Sequence, residues 1–96
     1  MIELYQAEWC PHSHRVRQRL TELAVPFVAR QVEPVPHQRT AMMAAVGSQI
    51  IPVLVLADGT VLDSDADDLI DELDRYFPED KYTTDHHERR LEAIED

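Results

Sequence analysis

The run Pro52-Val53-Leu54-Val55-Leu56 is apolar at every position. A strand with one wet face alternates apolar and polar residues, so an unbroken apolar run belongs to a strand covered on both faces. In a chain of 96 residues this points to one sheet with helices packed against it, a compact α/β domain. The size suits a single domain, since domains run from roughly 50 to 250 residues, and leaves no room for a second sizeable core. The longest apolar stretch, Ile50 to Ala57, is far short of the ~20 residues a membrane helix needs. Met1-Ile2-Glu3-Leu4-Tyr5 lacks the charged start and long apolar core of a secretory signal.

The rest of the pattern supplies the elements around that run. Ile2-Glu3-Leu4-Tyr5 alternates as a short strand does. Pro11 suits the first position of a helix, where its missing N–H costs nothing. Val16, Leu20 and Leu23 follow at spacings of four and three, which predicts one apolar stripe on a helix from Pro11 to Leu23, with Arg15, Arg17 and Arg19 on the other faces. Phe27 to Val32 reads as a second strand. Pro34-Val35-Pro36 reads as a connector, and Gln38 to Val46 as a helix stopped by Gly47. Asp58-Gly59 is a hairpin signal that returns the chain through Thr60-Val61-Leu62. Ser64 and Asp67 resemble a capping box ahead of Leu69, Ile70, Leu73 and Phe77, the apolar positions of a third helix that stops at Pro78. Residues 1–78 form the predicted domain. Residues 79–96 form an acidic C-terminal extension, in which Leu91 and Ile94 would allow a short docking helix over Asp85 to Glu95.

Charge narrows the range of partners. The net charge is -10, with one lysine, Lys81, against eight arginines. Nucleic acid and anionic membrane both demand basic surface and are excluded as partners. The acids gather in the second part of the chain: residues 57–96 carry fifteen of the nineteen. Acid-rich, lysine-poor surfaces also occur in proteins of high-salt cytoplasm. The series Asp67, Asp68, Asp71 and Asp74 reads as a solvated helix face, Met42 and Met43 as packing residues, and His86-His87 as surface without a metal-ligand cluster.

Chemistry concentrates at the single cysteine, Cys10, in Trp9-Cys10-Pro11-His12-Ser13. A lone cysteine excludes an intrachain disulfide framework and fits a reducing, cytoplasmic setting. A thiol at a helix N-terminus meets unpaired N–H groups and the positive end of the macrodipole, which favour the thiolate. The His12 imidazole beside it is a further means of lowering the thiol pKa. Cys10 is therefore the candidate nucleophile.

With Tyr5 to Ser13 after the first strand, Ile51-Pro52 before the third, and Ser64-Asp65 at the start of the third helix, the chain resembles a glutaredoxin, or equally the N-terminal domain of a glutathione transferase. The resemblance covers residues 1–78. It implies a thioredoxin fold with a four-stranded mixed sheet flanked by helices. It places Cys10, Pro11, His12 and Ser13 at the catalytic centre, with Ser13 where a two-cysteine relative has its resolving thiol. It implies a cis peptide at Ile51–Pro52, with Val53 as a backbone contact for the cysteinyl part of glutathione. Ser64 and Asp65 would meet the γ-glutamyl end, with Asp67 an alternative to Asp65 in the alignment, and Arg39 would meet the glycine carboxylate. Many glutaredoxins carry a lysine where this chain has Ala7, so the positive field at Cys10 is expected from the helix end, His12 and Arg15.

The function implied is monothiol thiol–disulfide exchange on protein mixed disulfides, by a monomer without a permanently bound cofactor. Glutathione or another γ-glutamyl thiol would be its co-substrate. Alternatives are a stand-alone domain of the transferase N-terminal type, and a non-catalytic thiol-binding or iron–sulfur carrier module.

Overall fold

The computed structural model describes residues 1–78. The expected helix over Asp85 to Glu95 lies outside the described residues. The chain forms β1 (Ile2–Gln6), α1 (Pro11–Glu22), β2 (Phe27–Gln31), α2 (Thr40–Val46), β3 (Val53–Val55), β4 (Val61–Leu62) and α3 (Ala66–Tyr76) in that order. The strands make one four-stranded sheet in the order β2-β1-β3-β4. β1 and β2 are parallel, with Ile2 beside Phe27 and Gln6 beside Gln31. β3 runs antiparallel to β1, with Tyr5 opposite Val53, and β4 runs antiparallel to β3, with Leu62 opposite Leu54. This is the mixed sheet of the thioredoxin fold.

The period of two along β1 divides the protein into two layers. Ile2 and Leu4 join Leu54 and Leu56 against Val16, Leu20 and Leu23 of the α1 segment and Ala66, Leu69 and Leu73 of α3 in one buried cluster. Val53 is buried next to Leu54. Successive strand residues point to opposite faces, so β3 is covered on both sides as its unbroken apolar run requires. Met42, buried on α2, lines one cleft with Tyr5 of β1 and Ala29 of β2, which places α2 on the face opposite α1 and α3. Between the two helices of the first layer, Arg15 of α1 bonds Asp67 of α3, and Arg19 bonds Asp74 at 2.7 Å. The acidic face of α3 is thus partly turned towards α1 and not wholly solvated.

Two turns illustrate the local chemistry. At Asp58-Gly59 the Asp58 carboxylate accepts the Thr60 N–H at 2.9 Å, while Gly59 takes a φ of 92° that suits a residue without Cβ. After α1 the N–H of Val25 reaches the Leu20 carbonyl and that of Ala24 the Thr21 carbonyl, each at 3.0 Å. This is a Schellman end, in which the left-handed residue is usually glycine. Here it is Ala24, with φ 56°. Relief of the Cβ clash outweighs the greater unfolded-state freedom of glycine. Ala24→Gly is expected to raise stability by about 0.5–1 kcal/mol, measured by urea unfolding.

The helix predicted over Gln38 to Val46 is shorter in the structure. Pro36–Gln38 forms a 3-10 turn, Arg39 leaves helical geometry with ψ 55°, and α2 begins at Thr40. The cause is the Arg39 side chain, which turns into the protein to meet backbone carbonyls. Gly47, at φ 74°, ends α2 as expected.

Candidate functional site

The register of the sheet brings the expected site residues to one end. β1 ends at Gln6 and leads to Cys10. β3, antiparallel to it, begins at Val53 opposite Tyr5, so Pro52 enters the sheet where β1 leaves it. β4 leaves the sheet at Leu62 opposite Leu54 and leads through Ser64 and Asp65 into α3. β2 leaves beside Gln6 and leads to Arg39. Four connections therefore meet above one edge of the sheet, at the C-terminal end of the parallel pair. In open α/β sheets this is where ligands bind.

Cys10 is the N-cap of α1, in extended geometry, and Pro11 fills the first helical turn. The thiol is near the surface but mostly covered, with 7% exposure. Burial is the largest influence on it and raises its pKa. The Ser13 N–H, the Ser13 hydroxyl, the His12 N–H and the positive charge of Arg17 together outweigh burial, so the Cys10 pKa is lowered from the ordinary thiol value. Ser13 is fully buried and also accepts the Ala7 N–H at 3.4 Å, which ties the first turn of α1 to the loop after β1.

Two expectations about this environment change. What His12 brings to the sulfur is its backbone N–H, while its side chain is exposed. The charge comes from Arg17, not from Arg15, whose guanidinium is engaged by Asp67. Two helical turns separate residues 10 and 17, and the return of Arg17 towards the preceding loop is a tertiary feature.

The Ile51–Pro52 peptide is cis. Val53 pairs with Tyr5 on β1, whereas β4 reaches no further than Leu62 opposite Leu54. On that side the backbone next to the cis proline is left without a strand partner among the described residues. Ile50, just before this peptide, and Trp9, just before Cys10, are 76% and 64% exposed.

At the start of α3, Asp65 and not Ser64 is the cap: its carboxylate accepts the Asp68 N–H at 3.0 Å. Asp67, at the other end of the anticipated capping pair, instead bonds Arg15. Ser64 is exposed at the bend before the helix.

Arg39 stands apart from the ligand-facing role implied for it. Its side chain is drawn inward, and the residue is 3% exposed. Nε donates to the Glu33 carbonyl at 2.7 Å, Nη1 to that of Gln49 at 2.8 Å and Nη2 to that of Pro34 at 3.1 Å. The guanidinium joins the connector after β2 to the segment before the cis peptide, a structural anchor in place of an open cation.

Gln6 was not among the expected site residues. It extends β1 by one residue beyond Tyr5 and is fully buried. Its signal is the alternation Ile2, Leu4, Gln6, which places it on the core side of the strand. Among the described residues, no cluster of three or more histidine, cysteine or acidic side chains can hold a metal ion, and no helix is long and apolar enough to cross a membrane.

Comparison with known proteins now bears on this arrangement. The family model for the N-terminal domain of glutathione S-transferase matches residues 4–81. The chain belongs to this family. A comparison with curated proteins returns no match. Among solved structures, a glutathione S-transferase from Rhodospirillum rubrum F11 shares 28% identity at a TM-score of 0.70, over 82% of this chain and 35% of that one. A glutathione transferase homologue from Sulfitobacter, solved with bound glutathione, shares 24% identity at a TM-score of 0.70, over 81% of this chain and 38% of that one. Glutaredoxin 2 from Salmonella typhimurium, in complex with glutathione, shares 18% identity at a TM-score of 0.66, over 77% of this chain and 33% of that one. This transferase N-terminal-type domain thus spans little more than a third of the length of the structures it matches.

Proposed function

We propose that this domain carries out monothiol thiol–disulfide exchange on mixed disulfides of glutathione or another γ-glutamyl thiol. The observation that supports it is the environment of Cys10: a near-surface thiol at a helix N-terminus, with two N–H groups, a hydroxyl and an arginine charge favouring its thiolate. The Cys10 thiolate attacks the glutathione sulfur of a protein mixed disulfide. A Cys10–glutathione disulfide forms, and the protein sulfur leaves as a thiolate that takes a proton from water. Ser13 offers no second thiol, so a second glutathione thiolate attacks the glutathione sulfur of the intermediate. This releases oxidised glutathione and restores the Cys10 thiolate.

The backbone at Val53 would pair with the cysteinyl part of the ligand, and Ser64 and Asp65 would receive its γ-glutamyl end. The helix N-terminus suits the carboxylate there and the acidic side chain suits the ammonium. Two structures of the same fold are solved with glutathione bound, which supports a glutathione-type ligand for this domain. The domain acts as a monomer, in a reducing cytoplasm where free thiol is available.

A second reading rests on the family match and on the length of its members. In it, this N-terminal-type domain holds glutathione for conjugation to an electrophile, and a further domain or partner supplies the electrophile's wall. The two readings separate in one experiment. Purified protein is supplied with glutathione and either a glutathione mixed disulfide or an aryl halide electrophile. Turnover with the disulfide alone is the expected result. Turnover with the electrophile alone would replace the exchange reading by the conjugation reading.

A further inference from the structure

The loop that delivers Cys10 to its helix is held by a polar network distinct from the thiol's own contacts. Buried Gln6 accepts from Arg17 Nη1 through Oε1 and donates through Nε2 to Glu8 Oε1 at 3.1 Å. Gln31 on β2 donates to the same carboxylate oxygen at 3.3 Å. Arg17 Nη1 also donates to the Ala7 carbonyl at 3.4 Å, and Nη2 donates to the Glu8 carbonyl at 3.5 Å. One guanidinium from α1 thereby grips two successive carbonyls of the segment that runs into Cys10. The Arg17 side chain is only 16% exposed, whereas that of Glu8, whose Oε2 lies 3.6 Å from Nη2, is 66% exposed.

This arrangement couples position to charge. A partly buried guanidinium is less screened than a surface one, so its field reaches neighbouring groups. A carboxylate beside it cancels part of that field. We propose that Arg17 is the positioning residue for the Cys10 thiolate, holding the Ala7–Glu8 segment, and that Glu8 is the counter-charge that limits how much positive field reaches the sulfur. The inference rests on the exchange reading of Cys10 and adds the residue pair that tunes it. The other titratable groups nearby are accounted for. His14, on α1, has Nδ1 3.4 Å from Arg17 Nη2. Glu22 turns to Arg19 at 2.8 Å, and Asp67 of α3 turns to Arg15. His12 is exposed on the first turn of α1. None of these is changed in the test.

The test follows the rate of iodoacetamide alkylation of Cys10 against pH, without glutathione, in wild type, Arg17→Met, Arg17→Lys and Glu8→Gln. Arg17→Met is expected to raise the midpoint and to slow alkylation by about twofold or more at pH values below the wild-type midpoint. Glu8→Gln is expected to lower the midpoint and to speed alkylation at pH values below the wild-type midpoint. Arg17→Lys, which keeps the charge and loses the fork geometry, is expected to fall between wild type and Arg17→Met. A purely structural Arg17 would lower thermal stability and leave the midpoint in place. If circular dichroism shows Arg17→Met unfolded, Glu8→Gln decides alone: a midpoint unmoved or raised overturns the inference. A wild-type midpoint in the ordinary thiol range of about 8.5 would overturn the exchange reading along with it. A low wild-type midpoint that neither Arg17→Met nor Glu8→Gln moves would overturn only the roles given to Arg17 and Glu8.

Discussion

Cys10→Ser is expected to abolish reduction of a glutathione mixed disulfide, with turnover lower by at least about 10³-fold. The substitution exchanges sulfur for oxygen at nearly constant shape, and the sulfur is not a packing centre: the large apolar cluster is built from Leu4, Leu20, Leu54, Leu69 and Leu73, among others. What disappears is the group the site acts on. The N–H groups of His12 and Ser13, the Ser13 hydroxyl and the Arg17 charge favour a thiolate, but the pKa of a serine hydroxyl is too high for them to make it an anion near neutral pH. Retained turnover in the serine variant would end the catalytic reading of Cys10.

The same environment has a consequence for stability. The folded-state pKa of Cys10 lies below that of the unfolded chain. Its ionisation therefore stabilises the fold fully above the unfolded thiol pKa, about 8.5. That contribution is lost as pH falls through the lowered value. The stability of wild type relative to Cys10→Ser is expected to grow with pH across this window, as measured by urea unfolding at several pH values. A difference that stays level would mean that the thiol is not held as a thiolate.

How much of this was written in the sequence depends on the kind of interaction. Pro11 announced a helix start because its fixed φ and missing N–H act within a turn of its own backbone. Gly47 and Asp58-Gly59 announced their turns for the same reason, as they need only a positive φ or a local side-chain bond. The covered strand Val53–Val55 was legible from its unbroken apolar run. The cis peptide at Ile51–Pro52 came from family resemblance, since no local signal separates it from the trans form. Polar side chains that reach across the fold were not legible. Arg15, Arg17 and Arg19 all read as outer-face residues of α1, yet one meets Asp67 of α3, one grips the loop before Cys10, and one meets Asp74. Their spacing does not encode these destinations, because each depends on what another element brings within reach. The shift of the α3 cap from Ser64 to Asp65 is a smaller instance. Both residue types cap well, and only the path of the chain leaving β4 decides between them.

Arg39 shows how such a residue matters, and Arg39→Met is expected to cost about 3 kcal/mol of folding stability. Hydrogen bonds to a charged group contribute about 1.5–3 kcal/mol each, and a buried acceptor left unpaired carries a desolvation penalty. The substitution removes three such bonds at once, to Glu33, Pro34 and Gln49. Some of those carbonyls regain water when the anchor is lost, which holds the total below the sum of the three. For a domain of this size, 3 kcal/mol corresponds to a fall in Tm of roughly 12–24 °C. Methionine keeps much of the apolar stem, so the loss reports the guanidinium. Arg39→Lys is expected to restore only part of it, because an ammonium is a point charge and does not reproduce a planar fork aimed at three carbonyls. The alternative role, an open cation for the glycine carboxylate of glutathione, makes a different prediction. It would leave Tm nearly unchanged and raise the KM for glutathione in both variants. A large Tm loss in the apo protein identifies the anchor. With Gln49 two residues before Ile51, that anchor holds the segment carrying the cis peptide towards the end of the sheet where Cys10 lies.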